Sequence, residues 1–248
     1  MNYSKWIAFF KRNRLARPEP CWDTPLDMPE AKRVALSASL AEYQLGDGGG
    51  PCRLIAHDAA ALRATDDQLR EVIDLWFAEE AEHSRLLGCA VRRLNGRFVT
   101  DTFAFRMFNL CRQAFHAQFE MLVLLLVEIV STGYYRVIRR HCGDRPIAAM
   151  CALIIKDETG HINFHRDRLH AAYPEGLPVA VTAQMYVLGI ACAAFLWLGH
   201  GRCLRTLGGT WSELLNHVLH GLRRFLRSVK SLQRQPSGSA QPLVPAVA

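Results

Sequence analysis

Apolar residues recur at steps of three and four along most of the chain beyond residue 30, and little strand-like alternation interrupts them. The segment around Leu69, Ile73, Trp76 and Leu87 shows this spacing clearly. Because such steps place the apolar side chains on one face of a helix, the pattern predicts an all-α protein.

Caps, glycines and prolines divide the pattern into six predicted helices. Their expected bounds are about 30–45, 65–96, 102–141, 144–174, 178–204 and 210–231. Thr65 and Gln68 form a capping box for the second helix, and Asp144 with Pro146 opens the fourth. Four long helices with short connections predict a four-helix bundle, followed here by two additional C-terminal helices.

Four segments are expected along the chain. They are an irregular basic N-terminal arm (1–29), the four-helix domain (30–173), a C-terminal helical extension (174–233) and a disordered tail (234–248). The arm carries four prolines, and the tail is rich in Pro, Ser, Gly and Gln, which opposes regular structure.

Two Glu-x-x-His pairs, Glu80/His83 and Glu158/His161, lie 78 residues apart at positions where the apolar seam should carry a hydrophobe. Residues three apart share a helix face, so each pair can offer a carboxylate oxygen and an imidazole nitrogen to one point. Burial of such groups without partners costs several kcal/mol each. The pattern therefore predicts a compensating charge, most simply a pair of divalent metal ions.

A bundle that holds two metals also needs one lone carboxylate from each of its other two helices. Glu128 precedes Glu158 by 30 residues, and Asp47 precedes Glu80 by 33, which is enough for a helix to end and an antiparallel one to return. Two other acids fit the second interval less well, Glu42 and Asp58. Three further acids lie off the apolar seams and are expected to face solvent: Glu79, Glu82 and Glu120.

This order of a carboxylate and a Glu-x-x-His pair, repeated over residues 35–169, resembles the di-iron carboxylate branch of the ferritin-like superfamily. The segments 128–135 and 156–165 are similar to those of bacterial proteins related to p-aminobenzoate N-oxygenase. The chain departs from that enzyme at two positions. Ile154 stands where the N-oxygenase has an additional His, and Asp47 stands where related proteins usually have Glu.

The resemblance implies a ferritin-like fold and a non-haem di-iron oxidoreductase, in which two irons and dioxygen hydroxylate, N-oxidise or desaturate a small organic substrate. The implied metal ligands are Asp47, Glu80, His83, Glu128, Glu158 and His161. Glu80 and Glu158 would bridge the metals. Iron is expected, with manganese as the alternative, because carboxylates and imidazoles suit both.

Two polar residues beside these ligands are expected to support them. Asp157 directly precedes Glu158 and could accept a hydrogen bond from a ligand imidazole, which would fix its tautomer. His165 lies one turn beyond His161, and we expect a neighbouring carboxylate to satisfy it.

Composition narrows the remaining choices. The chain has a formal net charge of +7, which favours anionic partners, but no aromatic and basic pattern indicates a nucleic-acid site. Eight scattered cysteines, without a Cys-x-x-Cys pair, indicate neither a zinc site nor a disulfide framework. They suit a reducing compartment, so a cytoplasmic location is expected.

Residues 179–199 carry no formal charge and are long enough to cross a bilayer. We expect a buried helix packed on the bundle, because arginines flank both ends and no charge asymmetry favours insertion. Membrane association through this segment is the alternative. The expected partners are a small-molecule substrate, an external electron donor and a second copy in a homodimer.

Two other function classes stay open at this point. One is metal handling without an organic substrate, such as iron oxidation or peroxide removal. The other is a non-catalytic helical protein with a degenerate metal site.

Overall fold

A computed structural model of the protein describes residues 1–15, 17–48, 66–113 and 117–233, which form eight α-helices and no strand. The helices are α1 (Tyr3–Leu15), α2 (Glu30–Gly48), α3 (Asp67–Arg93), α4 (Phe103–Gln113), α5 (Ala117–His141), α6 (Arg145–Ala172), α7 (Val179–Leu207) and α8 (Trp211–Gln233). The predicted all-α class is confirmed.

Helices α2 and α3 pack against each other in antiparallel directions. Near one end, Arg33 Nη1 donates to the carbonyl oxygen of Leu94 at 3.0 Å. Near the other, Ser84 Oγ donates to the carbonyl oxygen of Gln44, also at 3.0 Å. Since the residue numbers fall on α3 as they rise on α2, the two helices form a hairpin-like pair.

Helix α6 runs antiparallel to α3. Arg93, in the last turn of α3, pairs with Asp144 at the start of α6 at 2.7 Å. Towards the other end, the ring of Trp76 lies edge-on to that of His165, with centroids 5.1 Å apart. Helix α5 joins α6 through a short connection, so α2, α3, α5 and α6 form the central group of four helices.

Several predicted helix ends are correct, and others differ. Helix α6 begins after Asp144, whose side chain accepts from the amide of Ile147, and α8 begins after Thr210, as expected. The N-cap of α3 is Asp66, whose Oδ1 accepts from the amides of Gln68 and Leu69, whereas Thr65 lies outside the described residues. The predicted helix over residues 102–141 is described as two helices, α4 and α5, on either side of residues 114–116.

The prediction of an irregular arm is wrong for residues 3–15, which form α1. Trp6 and Phe10, four residues apart, are both buried and join a second apolar cluster with Phe164 of α6. Helix α1 approaches α6 closely at Gly160, where a Cβ atom would lie 2.7 Å from the ring of Phe9. Packing of this aromatic face stabilises α1. The sequence-based prediction missed the helix because several prolines follow it closely. The predicted disordered tail lies outside the described residues.

Helix α7 is less buried than the sequence predicts. It and α5 are the two helices in the described part of the chain that are long and apolar enough to cross a membrane. In α5, 72% of the most apolar window is buried, but in α7 only 22% is. One face of α7 packs on α2, α5 and α8, and this contact leaves its opposite face exposed.

Candidate metal centre

All six predicted ligands come together between the central helices. Glu80, Glu128, Glu158 and His161 bring potential ligand atoms within 4.8 Å of one another, and Asp47, Glu80 and His83 do the same. Glu80 belongs to both groups, so the two groups are adjacent. The residues could therefore hold two metal ions side by side, one in each group.

Both imidazoles direct their Nδ1 atoms towards the carboxylates. His161 Nδ1 lies 3.1 Å from Glu80 Oε1, 3.3 Å from Glu128 Oε2 and 3.2 Å from Glu158 Oε2. His83 Nδ1 lies 3.3 Å from Glu80 Oε2 and 3.8 Å from Glu158 Oε1. Glu80 and Glu158 thus each approach both imidazoles, as bridging ligands would.

The outer nitrogen of each imidazole contacts an acid from the opposite Glu-x-x-His helix. His83 Nε2 on α3 lies 3.2 Å from Asp157 Oδ2 on α6, as the sequence led us to expect of Asp157. In the reverse direction, His161 Nε2 on α6 lies 3.0 Å from Glu79 Oε2 on α3. A carboxylate in this place holds the proton on Nε2 and leaves the lone pair of Nδ1 for a metal.

Asn13 of α1 and Arg17 each contact both of the outer acids, Glu79 and Asp157. The Asn13 amide nitrogen donates to Glu79 Oε1 and to Asp157 Oδ1, both at 2.7 Å. Arg17 Nη2 lies 2.7 Å from Asp157 Oδ2 and 3.4 Å from Glu79 Oε1. Since a side-chain amide has two N–H donors, Asn13 uses both on these carboxylates.

Two ligand carboxylates receive a further hydrogen bond each. Trp76 Nε1 donates to Glu80 Oε1 at 2.9 Å, within α3. Tyr135 of α5 donates its hydroxyl to Asp47 Oδ2 at 3.1 Å. Asp47 lies in the last turn of α2, and the Tyr135 contact anchors it across to the neighbouring helix.

The close packing of buried carboxyl groups shifts the pKa values of the ligand acids and imidazoles. Burial and the charge of Glu80 raise the pKa of Asp47 and of Glu158. Burial alone would raise the pKa of Glu80, but contacts with His161 and His83 outweigh it and lower that pKa. Burial alone would lower the pKa of His83 and His161, yet the surrounding carboxylates raise both pKa values well above the ordinary range. The four carboxylates therefore create a strong demand for positive charge.

A pair of divalent cations fits this demand. His83 Nδ1 is buried and makes no hydrogen bond within the described part of the chain, although it faces the carboxylates. Four ionised carboxylates would balance the charge of two divalent ions. The donors are oxygen and imidazole nitrogen without a thiolate, a set suited to iron or manganese.

The expectation that Glu79 and Glu120 face solvent is wrong. Glu79 is only 3% exposed and supports His161, while Glu120 is fully buried and accepts from Arg112 Nε at 2.9 Å. Glu82 is partly exposed and pairs with Arg85. One signal could have found Glu79. An acid precedes the ligand glutamate in both pairs, so the repeated motif is acid-Glu-x-x-His.

The expectation for His165 is also wrong, because no carboxylate satisfies it within the described residues. Its Nδ1 lies 3.5 Å from Arg168 Nη2, and its Nε2 makes no hydrogen bond there. Burial lowers the pKa of His165 well below the ordinary value, which favours the neutral form of the ring. It packs against Trp76 as an apolar group behind the ligands.

Comparisons of the chain with protein-family models, curated proteins and solved structures give no match. The fold and the site therefore define its class by themselves. This is an all-helical protein with buried clusters of carboxylates and histidines that could bind metal ions.

Proposed function

We propose that the protein is a ferritin-like, carboxylate-bridged di-iron oxidoreductase that uses dioxygen to oxidise a small organic molecule. The observation that carries the proposal is the convergence of two Glu-x-x-His pairs and two lone carboxylates, with each imidazole backed by an acid of the opposite helix. Such duplicated support is expected of a centre that keeps two metals in fixed positions.

The ligand roles follow from the contacts. Glu128 and His161 would hold one metal, and Asp47 and His83 the other. Glu80, which belongs to both groups, would bridge the two metals, and Glu158, which approaches both imidazoles, would join it. Two bound ferrous ions would supply the electrons that reduce dioxygen.

Apolar residues line one side of the site. Trp76, Met121, Leu124 and Phe164 are buried and belong to one apolar cluster beside the ligands. Apolar surroundings of low dielectric strengthen the attraction between carboxylates and metals, and they protect an oxidising centre from side reactions. Trp76 also orients Glu80 through its indole N–H.

The first test is an anaerobic titration of the full chain with ferrous iron, in which calorimetry measures binding. We expect two equivalents to bind per chain. Glu128→Ala and Asp47→Ala should each remove one equivalent, because they belong to different groups. Glu82→Ala is the matched control, since this acid lies on the ligand helix α3 but is partly exposed and paired with Arg85.

The second test is oxygen consumption by the iron-loaded protein in the presence of candidate amines and acids. The proposal predicts consumption coupled to product formation for one class of substrate, and its loss in Glu158→Ala. Uptake of many irons per chain without a substrate would instead indicate iron storage. If Glu128→Ala and Asp47→Ala each still bind two irons, the ligand assignment is wrong.

A further inference from the structure

The outer face of α7 exposes a row of five large apolar side chains. Val179, Val187, Ile190, Phe195 and Leu198 all lie on the exposed surface, and Leu198 is 83% exposed. At about 100° per residue, the five positions fall within about 160° of the helix circumference, so they share its outer side. Monomeric soluble proteins seldom expose so long a row, so the face indicates an interaction surface.

The helices α7 and α8 also concentrate the positive charge of the protein. They contain six arginines and lysines, all exposed, but Glu213 is their only acid. They therefore carry five of the seven net positive charges of the chain. Glu213 is itself paired with His141 and Arg140 of α5, so it does not offset the exposed bases.

Part of this charge borders the apolar row. On α8, Gly221 faces Ile129 of α5, and Leu222 faces Gly189 of α7. Because each residue of a helix advances by about 100°, Arg223 follows on the outer side, next to α7.

The basic border continues along both helices. Arg227 and Lys230 extend the line of Arg223 at helical spacing, and all three are exposed. At the C-terminal end of α7, Arg205 covers the ring of Trp197 at 5.3 Å. Basic residues thus flank the apolar face along its side and at one end.

We propose that the face formed by α7 and the basic residues of α8 binds the surface of a membrane that contains anionic lipids. In this arrangement α7 lies parallel to the membrane, with its apolar row buried about 5–10 Å into the boundary between headgroups and acyl chains. The bases at the border contact lipid phosphates and carboxylates. The proposal is independent of the metal centre.

Two features favour this occupant over others. A second copy on the same face would bring two basic borders together, and like charges across an interface oppose association. A transmembrane course for α7 would detach its inner face from α2, including the 2.8 Å contact of His200 Nδ1 with Ser39 Oγ. A peripheral, in-plane contact keeps both the packing and the exposed row.

Flotation of the purified full chain with vesicles provides the test. The vesicles are phosphatidylcholine alone or an equal mixture with phosphatidylglycerol. We expect the protein to bind the anionic vesicles and to be released by high salt. Arg223→Gln with Arg227→Gln should weaken binding roughly five-fold per arginine. Val187→Glu with Leu198→Glu should abolish binding.

Matched controls use exposed residues of other helices. Phe103→Glu on α4 removes an exposed hydrophobe, and Arg12→Gln with Arg14→Gln on α1 removes two exposed bases. Neither should change binding, and circular dichroism verifies that every variant is folded. The proposal fails if the wild-type chain does not bind anionic vesicles, or if the α7 variants bind as well as the wild type. It also fails if sedimentation shows a dimer that Leu198→Glu dissociates while vesicle binding persists.

Discussion

The Nε2 atom of His83 lies 3.2 Å from Oδ2 of Asp157, although the two residues belong to different helices. Asp157 directly precedes Glu158, a member of the other Glu-x-x-His pair. The reverse contact, from His161 to Glu79, has the same form at 3.0 Å. Because of this exchange, a shift of α3 along α6 would disturb both imidazoles at once.

Asn13 connects the two acids in this exchange, so its removal should weaken the whole centre. We expect Asn13→Ala to lower the affinity for ferrous or manganous ions by roughly 10- to 100-fold, the usual effect of losing support behind a ligand. Calorimetry under anaerobic conditions measures the change. Asn216→Ala, at an exposed position of α8, is the control and should bind metal normally. Equal affinities for the two variants would contradict a role for Asn13.

Tyr135→Phe should affect only one of the two metal positions. The substitution removes the hydroxyl that donates to Asp47 and leaves the ring in place. We expect binding of one metal equivalent to weaken by roughly ten-fold, with the other unchanged. Tyr134→Phe is the control, because the Tyr134 hydroxyl contacts Ser39 at 2.6 Å and touches no ligand. A similar loss in both variants would point to general loosening of the core.

Arg93→Met should destabilise the fold, because it leaves Asp144 buried without its partner. Arg93 and Asp144 are both nearly inaccessible, and the arginine also donates to the carbonyl oxygens of Trp22 and Thr24. We expect the free energy of unfolding to fall by about 3 kcal/mol or more, measured by urea denaturation. Arg92→Met, at the neighbouring exposed position, should change it by less than about 0.5 kcal/mol.

His200 predicts a loss of stability in mild acid. Burial lowers the pKa of His200 to about 4, whereas the unfolded chain has an ordinary value of about 6.5. The unfolded state therefore takes up a proton first as the pH falls, and the folded state loses stability between about pH 6.5 and pH 4. The contribution is about 3 kcal/mol. His200→Gln should flatten this part of the stability profile, whereas His220→Gln, at an exposed position, should not.

The convergence of the six candidate ligands could be predicted because each has a periodic signal. Glu128 interrupts an apolar run, and the intervals to Glu158 and from Asp47 to Glu80 match a helix and its return. Antiparallel packing then brings equal heights together. The structure brings these side chains within ligand distance of one another, while their metal remains a proposal.

Of the supporting residues, Asp157 could be predicted from its place beside Glu158, but the others had no periodic signal. Asn13 and Arg17 lie in a segment with three nearby prolines, and their role depends on how α1 docks at Gly160. Glu79 lies one residue off the apolar seam, so periodicity alone assigns it to solvent. Glu79 is buried because α1 also packs on α3, and the helical periodicity of α3 does not reveal which other helix will cover it. The exposed face of α7 was not predicted, because the sequence of a helix does not show which of its faces other helices cover.

Docking of α1 makes residues 3–17 part of the support for the candidate metal centre. Removal of the residues before Glu30 would leave the four central helices able to assemble. The outer acids would nevertheless lose their amide and guanidinium anchors. Such a shortened chain would purify as a folded helical protein and load metal poorly.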